Sequence, residues 1–101
     1  MKRLVNAKEK IIKICADYFN NAVAENGFED FKEMKDNYSW DGNDIRAEID
    51  AVISSFWNKL YADGIEYDIS HHDDCSLEIF ENGGEYIQYK DLKKEIFKLV
   101  K

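Results

Sequence analysis

The stretch SHHDDCS, residues 70–76, contains two histidines, two aspartates and one of the two cysteines of the chain. Imidazole, carboxylate and thiolate groups are zinc ligands, and a cysteine beside a histidine is also the pair that thiol nucleophiles use. A structural zinc site needs four ligands, however, and the sequence has no C-x-x-C or H-x-x-x-H pattern. An acidic turn also disfavours a thiolate at Cys75. We interpret the stretch as a polar turn, and metal binding by His71 and Cys75 stays open.

A second window, NYSWDGNDIRAE at 37–48, resembles an EF-hand calcium loop over those twelve residues alone. The residues at loop positions 1, 3, 5, 6 and 12 are Asn37, Ser39, Asp41, Gly42 and Glu48. The window departs from the motif because asparagine replaces the first aspartate, Asp44 stands where an apolar residue usually pairs two loops, and no second loop follows. The start of a capped helix explains the same residues. The sequence therefore predicts no metal or cofactor, and single-site calcium binding is kept as an alternative.

Other reactive patterns are missing from the sequence. Gly83 and Gly84 fall in a predicted hairpin and not at a strand-to-helix turn that would hold phosphate. No nucleophile elbow surrounds a serine, and the carboxylates fall mostly on outward positions of predicted elements, where nothing separates the pKa values of an acid and a base. We therefore predict that the protein is not an enzyme.

Hydrophobic periodicity predicts the elements that would position these residues. An apolar stripe through residues 5–27 indicates a helix that ends at Asn26–Gly27, and Cys15 lies within the stripe as a core residue. A short helix is expected over 28–36. The strongest helix runs over 44–62, capped by Asp41 or Asn43, and a last amphipathic helix covers 91–101.

Between the third and fourth helices the pattern alternates with period two, which is typical of strands. Placing the apolar residues of each strand opposite one another pairs Ile69 with Leu77 and Ile79 with Ile87, and sets Asp68 opposite Glu78. The turns are then His72–Asp74 and Asn82–Gly84. The predicted fold is a single α+β domain over 1–101, with three N-terminal helices, a three-stranded antiparallel β-meander and a short C-terminal helix, the helices packed on one face of the sheet.

The charge layout carries the functional hypothesis. The net charge is −7, yet both ends of the chain are basic, and the middle, residues 25–89, holds seventeen acidic and four basic residues, of which nine and three lie within residues 25–50. On the outer face of the predicted sheet, carboxylates surround two large rings, and acidic or aromatic residues of the adjoining loops extend this surface. The predicted partner-binding residues are Glu66, Asp68, Glu78, Phe80, Tyr86, Asp73, Asp74, Tyr38, Trp40 and Asp41.

An acidic surface of this size repels nucleic acid and attracts a basic protein. We predict a non-enzymatic cytoplasmic binding protein, with no membrane segment, that docks on the basic surface of a nucleic-acid-processing protein. In size and acidity it is similar to nucleic-acid mimics, to phage anti-CRISPR proteins and to toxin-immunity proteins, which implies an inhibitor, although no motif carries the resemblance. The alternatives are a homodimer or larger homo-oligomer formed through Phe80 and Tyr86, and the calcium or metal site.

Overall fold

A computed structural model describes residues 6–61, 69–71, 76–79 and 85–101. The helices are α1 (Ala7–Glu25), α2 (Phe31–Tyr38), α3 (Gly42–Tyr61) and α4 (Tyr89–Phe97), and the strands are β1 (Ile69–His71), β2 (Leu77–Ile79) and β3 (Glu85–Ile87).

Helix α1 is the centre of the molecule, because α2, α3 and α4 each pack against it. It ends in a Schellman motif. The Phe28 amide donates to the Val23 carbonyl at 3.0 Å, and the Gly27 amide donates to the Ala24 carbonyl at 3.2 Å. Gly27 has a φ of +76°, a conformation that glycine adopts without strain. The predicted end of this helix at Asn26–Gly27 is therefore confirmed.

Carboxylates cap the next two helices. The Asp30 side chain accepts a hydrogen bond from the Glu33 amide at 2.8 Å, and the Glu33 carboxylate accepts one from the Glu29 amide at 3.2 Å. At the start of α3, Asp41 Oδ1 accepts from the amides of Asn43 and Asp44. Of the two predicted caps for α3, the structure selects Asp41.

The C-terminal tail is tied to α1 and α2 by three hydrogen bonds. Asn20 donates through its side-chain nitrogen to the Leu99 carbonyl at 3.0 Å, and its side-chain oxygen accepts from the Lys101 amide at 2.9 Å. The Lys101 carbonyl in turn accepts from the amide of Phe31, the first residue of α2, at 2.8 Å. One asparagine thus pairs the donor and the acceptor of a tail that lies about eighty positions away in the sequence.

The strands pair antiparallel in the order β1, β2, β3, but their register differs from the prediction. Ile69 faces Ile79, and Leu77 faces Ile87, so each pairing is shifted by two residues. Glu78 is opposite Ser70 and Tyr86, so the expected like-charge pairing of Asp68 with Glu78 is wrong. A shift of two keeps the alternation of faces, which explains why the pattern alone did not fix the register. The predicted turns and Gly64 lie outside the described residues.

The predicted α+β architecture is wrong, because the protein is predominantly helical. Each strand is three residues long, whereas α1 and α3 have 19 and 20 residues. Tyr89, which the alternation placed in a strand, begins helix α4. The closest packing between elements joins helix to helix and strand to strand. The helices therefore form the core by packing on one another, and do not form a layer on one face of a sheet.

The core of the described residues is drawn almost wholly from the helices, with Ile87 as its strand member. Cys15 is fully buried there, which confirms its predicted place. The buried hydrophobic residues are Ala7, Ile11, Ile12, Cys15, Ala16, Phe19, Val23, Met34, Ile45, Ile49, Ile53, Ile87, Leu92 and Ile96. Within the described ranges, no helix combines the length and the apolar composition needed to cross a membrane.

Candidate binding surface

A chain of aromatic rings leads from the core to the connection between α2 and α3. Phe31 of α2 contacts the buried Phe19 at a ring distance of 5.3 Å and the ring of Trp40 at 6.4 Å. Trp40 is half-buried and lies 5.6 Å from Tyr38, whose side chain is 44% exposed. Tyr38 also meets Phe28 edge to face. The two predicted site rings are therefore adjacent, and the core holds them in place.

The turn that carries these rings is short because Ser39 adopts a left-handed conformation with a φ of 55°. The Trp40 amide donates back to the Lys35 carbonyl at 3.0 Å, which closes the end of α2. Asp41 follows at once as the cap of α3. Tyr38, Trp40 and Asp41 are thus brought together at one corner of the molecule.

The calcium interpretation of residues 37–48 does not match this geometry. Helix α3 begins at Gly42, so more than half of the window is helical and does not wrap around an ion. Asp41 is occupied by two backbone amides, and Asp44 Oδ2 accepts from the Asp41 amide at 2.9 Å. These hydrogen bonds, led by the one from the Asp44 amide, lower the pKa of Asp41. Helix capping accounts for the residues that resemble the motif.

The acidic segment, residues 25–50, lies on the surface. Its carboxylates on Glu25, Glu29, Asp30, Glu33, Asp36, Asp41 and Asp44 belong to exposed residues, and those on Glu48 and Asp50 to half-buried ones. Four of the exposed acids cap helices. Asp36 lies 3.6 Å from Lys32, with both side chains largely exposed, so that pair contributes little to stability.

The other predicted site residues belong to the strand region. Tyr86 is 54% exposed, and its hydroxyl donates to the buried Ser76 hydroxyl at 2.9 Å. The antiparallel pairing places Tyr86 directly opposite Glu78. Glu66, Asp68, Asp73, Asp74 and Phe80 lie outside the described residues, as do His72 and Cys75.

An open groove, which the sequence did not predict, lies between α1 and α3. It has a volume of about 410 Å³. Its lining is mainly apolar, with one lysine at one end, and consists of Ile14, Tyr18, Ala51, Val52, Ser55, Phe56 and Lys59. Helical spacing alone does not reveal it, because Val52 and Phe56 continue the same apolar pattern as the isoleucines of α3.

At the groove, the two helices are joined by a hydrogen bond between side chains. The Tyr18 hydroxyl donates to Glu48 Oε2 at 2.5 Å. This hydrogen bond, with desolvation and the negative charge of Glu48, raises the pKa of Tyr18 to about 12. Tyr18 is 39% exposed, so the bond lies at the mouth of the groove. It fixes the position of a carboxylate beside an apolar surface.

The thiol of Cys15 is unreactive in this buried position. Burial raises the pKa of its thiol from 9.0 to about 12, so the neutral thiol is the form present near pH 7. A search of the described residues finds no cluster of three or more histidine, cysteine, aspartate or glutamate side chains placed to hold a metal ion.

Comparison with known proteins gives no family for the chain. No family model matches the sequence, and no curated protein or solved structure matches it. The predicted likeness to phage and inhibitor proteins therefore has no support beyond size and acidity, and we do not retain it.

Proposed function

We propose that the protein is a non-enzymatic binding protein that docks, through its acidic segment, on a basic surface of another macromolecule in the cytosol. The observation that carries the proposal is the exposure of this segment: seven exposed carboxylates, against the basic side chains of Lys32 and Lys35, lie between Glu25 at the end of α1 and Asp44 in the first turn of α3. Such an excess speeds the approach of a basic partner and disfavours acidic ones.

Two rings supply the contact area that charge alone does not provide. Tyr38 and Trp40 stand beside Asp41 and Asp44 and are braced by Phe28 and by Phe31. Aromatic side chains that are already ordered lose little entropy on binding, and tyrosine and tryptophan are frequent anchors at protein interfaces. Lysine and arginine side chains of the partner would also meet the ring faces favourably.

The capping acids are poor targets for testing this proposal, because their loss also weakens the helices. Glu25, Glu29 and Asp36 have no capping role in the structure. The test variant therefore combines Glu25→Gln, Glu29→Gln and Asp36→Asn. A matched control combines Glu9→Gln, Asp17→Asn and Asp91→Asn, three exposed acids of α1 and α4, and changes the net charge equally.

The probe is a lysine- and arginine-rich peptide, titrated in a Trp57→Phe background so that Trp40 is the remaining tryptophan. We expect Trp40 fluorescence to change on binding, and affinity at low salt to fall about tenfold in the test variant, since three partly screened contacts are lost. The control should bind nearly as well as the parent. Equal losses in both variants would show that only net charge matters, and would contradict a site at the acidic segment.

The same pair of variants then identifies the natural partner. A partner captured by the parent protein should be basic, should be released at high salt, and should be retained by the control but not by the test variant. A partner that both variants retain equally binds elsewhere, and that result would refute the proposal.

A further inference from the structure

The groove between α1 and α3 has opposite charges at its two ends. Glu48 is held at one end by Tyr18, and Lys59 lines the other end. Lys59 is the one basic residue among positions 51–89. Eleven residues of helix separate the two charges, a distance of about 16 Å. The stretch between them is apolar apart from Ser55.

The groove-lining side of α3 has a heptad-like spacing. Glu48, Val52, Ser55 and Lys59 follow one another at intervals of four, three and four, so they form one stripe along the helix. The isoleucines Ile45, Ile49 and Ile53 form a separate buried stripe that packs in the core. In this second stripe Ser55 and Lys59 are exposed and Val52 is half-buried, so the described part of the chain leaves the stripe outside the core.

The second stripe is complementary to the same stripe on a second, antiparallel copy of α3. If a second copy of α3 lies antiparallel with its centre between residues 53 and 54, Glu48 of each copy faces Lys59 of the other. Val52 then faces Ser55, and Ala51 faces Phe56. Each facing pair is of opposite charge or combines a larger with a smaller side chain, which is the condition for close packing across a two-fold axis.

The groove has room for the larger members of these pairs. Phe56 is half-buried on its own chain, and Ala51 lines the groove with a single exposed methyl group. The ring of Phe56 from a second copy would enter the groove at Ala51, and the exchange is mutual.

We propose that the α1–α3 groove is the interface of a symmetric homodimer, in which α3 of one copy packs antiparallel on α3 of the other. This surface is distinct from the strand face suggested for self-association by the sequence. It shares Glu48 with the acidic segment, but the rings at Tyr38 and Trp40 are not part of the groove lining.

The experiment measures the mass of the full chain by sedimentation or light scattering, over concentrations up to about 1 mM. A salt concentration of about 0.15 M screens the long-range repulsion between copies of net charge −7. We expect a reversible dimer. Lys59→Glu and Glu48→Lys each create two like-charge pairs per dimer, and each should raise the dimer Kd by about tenfold or more.

The decisive sample is an equimolar mixture of these two variants. In the mixed dimer, the unchanged Glu48 of one chain faces the unchanged Lys59 of the other, and the two substituted side chains face each other as a second pair of opposite charge. The mixture should therefore dimerise at protein concentrations at which each variant alone is mostly monomeric, and the double variant should dimerise with itself. Ala51→Trp fills the space for Phe56 and should abolish dimers in every combination.

One control keeps the result interpretable. Lys90→Glu alters the net charge as Lys59→Glu does, on an exposed residue of α4, and should leave the dimer Kd nearly unchanged. Circular dichroism checks that each variant is folded. A parent protein that stays monomeric to about 1 mM, or a mixture that fails to dimerise, would overturn the proposal.

Discussion

Helix α1 meets two neighbouring regions that are filled in different ways. On one side, the buried Phe19 contacts the rings of Phe31 and Phe97 at 5.3 Å each, and the C-terminal tail closes the region over Asn20. On the other side, Ile14 and Tyr18 face the open groove along α3. The first region is filled by side chains of the same chain, whereas the second keeps an open apolar groove among the described residues.

The largest expected effect comes from removing the ring at the closed side. Phe19→Ala should destabilise the protein by about 3–5 kcal/mol, because a fully buried ring with several ring contacts leaves a cavity. Phe56→Ala makes the same chemical change at the half-buried groove and should cost about 1–2 kcal/mol in the monomer. Urea unfolding at low protein concentration measures both. Equal losses would contradict the distinction between the two regions.

The buried thiol on the closed side makes stability sensitive to alkali. Cys15 has a folded pKa of about 12 against 9.0 for the free thiol. The stabilising contribution of the buried thiol to the free energy of unfolding is fully present below pH 9. It is lost as the pH rises toward 12, because the thiol of the unfolded chain releases its proton first. Between about pH 8 and pH 11 the loss should reach about 2–3 kcal/mol. Cys15→Ala should show a correspondingly shallower decline in unfolding free energy over that range, whatever its stability at the lower pH. Parallel curves would show that the thiol is not buried.

The hydrogen bonds that close the tail should contribute less than the rings. Asn20→Ala removes both contacts to the tail and should cost about 1–2 kcal/mol. Asn20→Asp keeps the acceptor for the Lys101 amide and should fall between the parent and the alanine variant. Asn21→Ala is the matched control, since that neighbour is exposed. If Asn20→Ala and Asn21→Ala behave alike in thermal unfolding, the tail is not held by this side chain.

The smallest effect is expected at the groove. Ser55→Ala replaces an exposed hydroxyl with a better helix former and should change the unfolding free energy of the monomer by about 0.5 kcal/mol or less. Calorimetry on dilute protein measures this difference. A loss above about 1 kcal/mol would mean that the groove is already filled in the monomer, and the contrast between the two sides of α1 would then disappear.

Local patterns predicted four helices from their apolar stripes, and chemical signals marked the end of α1 and the start of α3. Asn26–Gly27 and Asp41 are such signals, and both act as predicted. The predicted fold class was wrong because the strand pattern is ambiguous. Alternation over a few residues fits a short strand pair as well as a full sheet, and Tyr89 fits a strand pattern as well as the first turn of α4.

The features that matter most for the candidate surfaces are non-local, and no window of sequence contains them. Asn20 meets a tail about eighty residues away, and Tyr18 meets Glu48 across thirty. The position of Tyr38 and Trp40 beside Asp41 was predicted, since these residues are neighbours in the chain. The division of α3 into a buried stripe and a groove stripe depends on where α1 packs, which hydrophobicity alone does not specify.

The bond from the Phe31 amide to the Lys101 carbonyl links a remote backbone group to a helix of eight residues, which is too short to persist in isolation. Phe31 also contacts Phe97 and Trp40, so this one residue connects the C-terminal tail and α4 to the surface rings. Removing residues 99–101 should therefore change the surroundings of the Trp40 ring. The fluorescence emission of that tryptophan would report whether residues 99–101 are bound to α1 and α2.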